Sequence, residues 1–100
     1  MNAKAKKMRV DKAVQSQARR ARDTSRQIHQ WAERPFREAN SARCLAEYLE
    51  ENGFHIEFPF GKIPTAFRAS WGRGKPTIGM LGEYDALPNC GPEEGAWGHG

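Results

Sequence analysis

Residues Thr77-Ile-Gly-Met-Leu-Gly82 form a short uncharged, largely apolar run, closed upstream by Pro76 and downstream by the acids Glu83 and Asp85. A run with no polar face to offer water predicts a buried central strand, covered on both sides. Such a strand needs neighbouring strands and covering helices. The rest of a chain of 100 residues has to be read for them. At that length there is room for one domain at most.

Upstream, Val10, Val14, Ala18, Ala21, Ile28 and Trp31 recur at helical spacings, giving one thin apolar stripe on an otherwise polar helix. A second helix follows: Pro35 suits a first-turn position, Phe36, Leu45, Tyr48 and Leu49 lie near one face, and Asn52-Gly53 supplies the stop. The period then changes to two. Phe54, Ile56 and Phe58 alternate with His55, Glu57 and Pro59, as in a half-buried strand that Pro59 ends or places at an edge. Thr65 to Trp71 is a second strand candidate, joined to the Thr77–Gly82 run by the turn-rich Gly72-Arg-Gly-Lys-Pro76. From Leu87 the chain is rich in Gly, Pro and Glu and has no period. This order of helix, helix and three strands fits a small α+β domain. It fits equally the front end of a larger α/β domain, and the halt in an open loop at Gly98-His99-Gly100 favours the latter.

Charge divides the chain. Residues 1–38 hold eleven Lys/Arg against four Asp/Glu, and residues 39–100 hold five against eight, so +7 and −3 make the net +4. A basic arm of this kind suits a phosphate-bearing partner or an anionic surface. Nucleic-acid recognition also asks for stacking aromatics or a base-reading motif, and neither is interleaved here, so Lys4, Lys6, Lys7, Arg9, Lys12, Arg19, Arg20 and Arg22 read as a solvated helix face. A small basic nucleic-acid-binding or subunit-interaction module stays the alternative. No apolar run approaches a membrane span, and the basic opening leads into DKAVQSQARRARD rather than an apolar signal core, so the chain reads as cytoplasmic. Cys44 and Cys90 read as free thiols.

The chemistry is expected after the predicted central strand. In open α/β sheets ligands bind outside the carboxyl ends of strands, where Glu83 and Asp85 fall. Their i, i+2 spacing would point both the same way along a continuing strand, able to orient a metal ion or a metal-bound histidine, or simply to meet water. His99 sits in a flexible Gly-rich turn, and His29 and His55 read as surface or boundary residues. The HExxH, GxSxG and Walker-type patterns are absent.

Ile78-Gly-Met-Leu-Gly-Glu-Tyr-Asp-Ala-Leu-Pro88, followed by Gly98-His99-Gly100, resembles the dinuclear-metal amidohydrolases and carboxypeptidases, a family that includes aminoacylases, indole-acetyl-amino-acid hydrolases and p-aminobenzoyl-glutamate hydrolase. The last branch is the most similar. Trp31-Ala-Glu33, Glu38, Ser41, Leu45, Leu49 and Gly53-Phe54 are similar to the family's opening helix and first strand, and Pro64-Thr-Ala-Phe-Arg-Ala69 with Gly72 and Gly74 to its next hairpin.

The resemblance covers about residues 27–100. It implies an α/β fold: the N-terminal portion of a zinc-peptidase-like catalytic domain, two helices and then a three-stranded part of the sheet, behind a basic helical extension over 1–26. It implies cleavage of the amide bond of N-acyl or N-aroyl amino acids by a metal-bound water, with two divalent metal ions, zinc or manganese, in the complete enzyme. Asp85 matches the aspartate that supports a metal-bound histidine. Glu83 stands where related peptidases place a metal-binding histidine, but the amidohydrolase branch is acidic there, so no ligand role carries over. The family's Cys-Gly-His ligands and its catalytic glutamates follow the GHG segment and fall beyond Gly100. The expectation is therefore a piece of an enzyme that holds no metal and is inactive alone, with a homo-oligomer as the full-length form and neither membrane nor nucleic acid as its partner.

Overall fold

A computed structural model describes residues 1–100. Asn2 opens the first helix: its side chain accepts the Ala5 amide at 2.8 Å, the usual N-cap chemistry. Helix α1 then runs Ala3–Trp31, passing residues 26 and 27 without a break, and stops at Ala32, whose backbone turns left-handed. Its stripe is only partly used. Tyr48 donates a hydrogen bond to Gln17 Oε1 at 2.6 Å, Arg20 pairs with Glu51, and the Arg20 guanidinium lies 4.3 Å over the Tyr48 ring. The second helix thus covers the C-terminal half of α1, while Val10 and Val14 stay 60% and 63% exposed. No helix is long and apolar enough to cross a membrane.

Helix α2 spans Ala39–Glu51, starting later than the sequence predicts. Pro35 and Phe36 occupy the preceding turn instead, and Phe36 adopts a left-handed φ of 63° with its ring 72% exposed rather than on the apolar face. The reason is where the orphan amides find acceptors. Glu33, across that turn, takes the Asn40 and Ser41 amides at 3.1 and 2.7 Å, so the helix can begin only beyond it. At the other end Asn52-Gly53 acts as predicted. The Phe54 amide bonds the Leu49 carbonyl and the Gly53 amide that of Glu50, with Gly53 at φ 91°, which is a Schellman stop.

The alternating segment gives strand β1, His55–Glu57, and the next candidate gives β2, Arg68–Ser70. They pair antiparallel, with His55 opposite Ser70, Ile56 opposite Ala69 and Glu57 opposite Arg68, the last pair joined by a salt bridge. The sheet ends there. The third strand expected at Thr77–Gly82 does not form: residues 71–83 are exposed throughout and take no part in backbone hydrogen bonding. Ile78, Met80 and Leu81 are 80%, 95% and 94% exposed, where burial on both faces was expected. A strand exists only through its neighbours' amides and carbonyls. Here β1 and β2 satisfy each other, and no third partner reaches the run. Two helices and a two-stranded antiparallel sheet thus replace the expected three strands.

The fully buried set is small in number and in size: Ser41, Ala42, Ala46, Thr65, Ala86 and Gly98. It lies where α2 meets the 84–98 loop. The radius of gyration is 16.2 Å, against about 13 Å for a compact domain of this length. The extents of 52 × 30 × 21 Å show the elongation along one axis.

Candidate functional site

Residues 82–86 run between two shallow clefts. One, of about 440 Å³, opens between α1 and α2 and is lined by Ile28, His29, Leu45, Tyr48, Tyr84 and His99 among others. The second, of about 290 Å³, lies on the other side and takes in Glu38, Thr65, Glu83, Tyr84 and Asp85. Both acids of the sequence motif therefore reach the second cleft, Glu83 exposed and Asp85 half-buried.

Their placement does not come from a strand. Tyr84 donates its hydroxyl to the Thr65 carbonyl, and the Thr65 hydroxyl donates to Glu38 Oε1 at 3.1 Å. On the far side of Asp85, the Ala86 amide donates to the Glu33 carbonyl at 2.7 Å. Asp85 is thus the one residue between two tethered neighbours. Burial, and then the negative charge of Glu38, push the Tyr84 phenol above its ordinary 10.0. It stays a hydrogen-bond donor across the neutral range.

Glu33 is the branching point. Its Oε1 accepts both the amide and the hydroxyl of Ser41 at 2.7 Å, and its Oε2 accepts the Asn40 amide at 3.1 Å. Partial burial pushes this carboxyl up, but the bonds from Ser41 and Asn40 outweigh it and hold the group below its ordinary 4.5. A carboxylate is also the favoured partner for a helix N-terminus, where the macrodipole is positive.

The terminal loop folds back onto the same region. Leu87 and Gly98 exchange backbone hydrogen bonds at 2.8 and 3.0 Å, Arg34 lies 4.5 Å over the Trp97 ring, and the His29 and His99 rings are 5.9 Å apart. His29, read from the sequence as a surface or boundary residue, is exposed yet faces His99. His99 Nε2 is buried without a hydrogen-bond partner. His55 is exposed on β1, away from both clefts. Cys44 and Cys90 are free and half-buried, and burial pushes the Cys44 thiol above its ordinary 9.0. No three His, Cys, Asp or Glu side chains converge as metal ligands would.

The structure therefore joins Glu83 and Asp85 in the second cleft, and Glu83 also lines the first together with His99. Of the two residues that set the geometry, Tyr84 lies inside the 78–88 motif without being singled out by it, and Glu33 carries no conspicuous motif. A capping glutamate is normally sought three residues inside the helix. Here it stands upstream of the helix, and only the Trp31-Ala-Glu33 part of the family resemblance points to it.

The chain is 43% identical over 86 residues to one of the subunits of p-aminobenzoyl-glutamate hydrolase from Escherichia coli strain K12. The match takes in 86% of this chain and 18% of that protein, so the chain spans under a fifth of the length of its curated relative. Any stretch of 86 residues within 100 includes residues 15–86, and so contains Glu33, Glu38, Thr65 and Asp85. No family model matches the chain, and no solved structure matches it.

Proposed function

We propose that this chain, a homologue of that p-aminobenzoyl-glutamate hydrolase subunit, is the N-terminal part of a metal-dependent amidohydrolase cleaving the amide bond of N-acyl or N-aroyl amino acids, p-aminobenzoyl-glutamate among them. The identity to the Escherichia coli protein, over a stretch that includes Asp85, is the observation that carries the reading. On it, residues 1–26 are a basic helical extension and 27–100 an incomplete part of the catalytic domain, within a cytoplasmic, homo-oligomeric whole.

The two divalent metal ions of such an enzyme, zinc or manganese, do not fit the residues of this chain by themselves, since no three ligand side chains converge. The chain's share of the work is to present Asp85. A half-buried carboxylate held by its neighbours suits the task of orienting a histidine supplied from outside the chain. The water, the general base and the metal ligands needed to cleave an amide lie outside it on this reading. The chain alone is inactive.

A chimera tests this. The matched stretch of the Escherichia coli protein is exchanged for that of this chain, and p-aminobenzoyl-glutamate hydrolysis is measured in the assembled hydrolase, with and without Asp85→Ala. Activity that survives the exchange and is lost with Asp85→Ala supports the proposal. A chimera that folds and assembles but does not hydrolyse the substrate sinks it.

A further inference from the structure

We infer that Glu33 is a positioning residue for Asp85, joining the start of α2 to the segment that carries the acid. Two different parts of Glu33 are engaged. Its carboxylate holds the Asn40 and Ser41 amides and the Ser41 hydroxyl, and its main-chain carbonyl accepts the Ala86 amide at 2.7 Å. Both far ends are fixed points, because Ser41 and Ala86 are completely buried.

The side chain therefore pins the Glu33 backbone to α2, and that backbone in turn pins the residue after Asp85. The opposite flank is held independently, by Tyr84 on the Thr65 carbonyl and Thr65 on Glu38. With both neighbours tethered, Asp85 is aimed by its flanks. The functional weight of this arrangement rests on the proposed role of Asp85. The tether itself does not.

A residue that only caps α2 behaves differently from one that also positions residue 86, and amide exchange separates the two. In Glu33→Ala the Asn40 and Ser41 amides exchange faster in either case. Positioning adds that the Ala86 amide, bonded to an atom the substitution leaves in place, also exchanges faster, by roughly fivefold if the cap carries its ordinary strength. The Ile56 and Ala69 amides in the hairpin serve as the reference and keep their rates.

Glu33→Gln keeps an acceptor oxygen for Ser41 and restores Ala86 toward the wild-type rate. An Ala86 amide that is unmoved in Glu33→Ala while Asn40 and Ser41 loosen overturns the inference. If Glu33→Ala speeds the hairpin amides too, it has unfolded the chain, and Ser41→Ala decides instead. That variant removes only the hydroxyl donor: a faster Ala86 supports the tether and an unchanged one overturns it. None of these readings depends on hydrolysis, so an inactive chimera would sink the proposed function and leave this result standing.

Discussion

Ser41 gives both its amide and its hydroxyl to a single carboxylate oxygen, Glu33 Oε1, at 2.7 Å each. The contact starts α2, a helix whose own N-cap residue, Glu38, makes no side-chain cap bond. It also makes that start sensitive to acid.

Glu33 is held below its ordinary 4.5 in the fold, so the native state favours its ionised form. Its contribution is complete above about pH 4.5 and disappears as the pH falls through the lower, native value. Urea midpoints followed by circular dichroism down a pH series from 7 are expected to show wild type ahead of Glu33→Gln at neutral pH, with the gap narrowing as the solution is acidified. The advantage at pH 7 is at most about 1 kcal/mol, the usual value of a cap, because the site is only partly buried.

Gly98 passes so close to the start of its own loop that an added β-carbon would lie 2.5 Å from Gly91 Cα and 2.8 Å from the Cys90 carbonyl oxygen. Both contacts are backbone and cannot swing away. Gly98→Ala is expected to cost about 1–3 kcal/mol, as overpacking does, and to release the Leu87 bridge. Gly79→Ala, with no atom within 4 Å, is the control and should stay within about 0.5 kcal/mol of wild type. Equal losses from the two substitutions would contradict the packing.

Ile78, Met80 and Leu81 present a contiguous apolar run to solvent. Runs of this kind with open backbone groups promote association. Met80→Lys combined with Leu81→Glu is expected to lower light scattering at high concentration while leaving the thermal midpoint in place. A lowered midpoint would show that the run is packed in solution.

With a buried set of six small residues and 8561 Å² still exposed, the chain has less new surface to expose on unfolding than a compact domain of this length. The urea slope, which scales with that surface, should lie at or below about 1 kcal/mol/M, the low end for small proteins. A slope well above it, with cooperative unfolding, would show a larger core.

Legibility in the sequence follows range. The first helix along its Val10–Trp31 stripe, the stop at Asn52-Gly53 and a strand within the alternating 54–58 segment are all readable, because propensity, turn chemistry and period act over a few residues. The start of α2 is not, because its cap, Glu33, lies across a turn from the amides it serves.

By itself the sequence determined that two helices open the chain, where the second one stops, and where the period changes to two. Only the tertiary structure decided that Thr77–Gly82 stays unpaired and that Asp85 is held between Tyr84 on Thr65 and Ala86 on Glu33. The physical reason is that a strand and a tether are properties of partners. An apolar run states that it can pair, and a glutamate that it can accept, but what lies within about 3 Å of each is fixed by how distant segments pack.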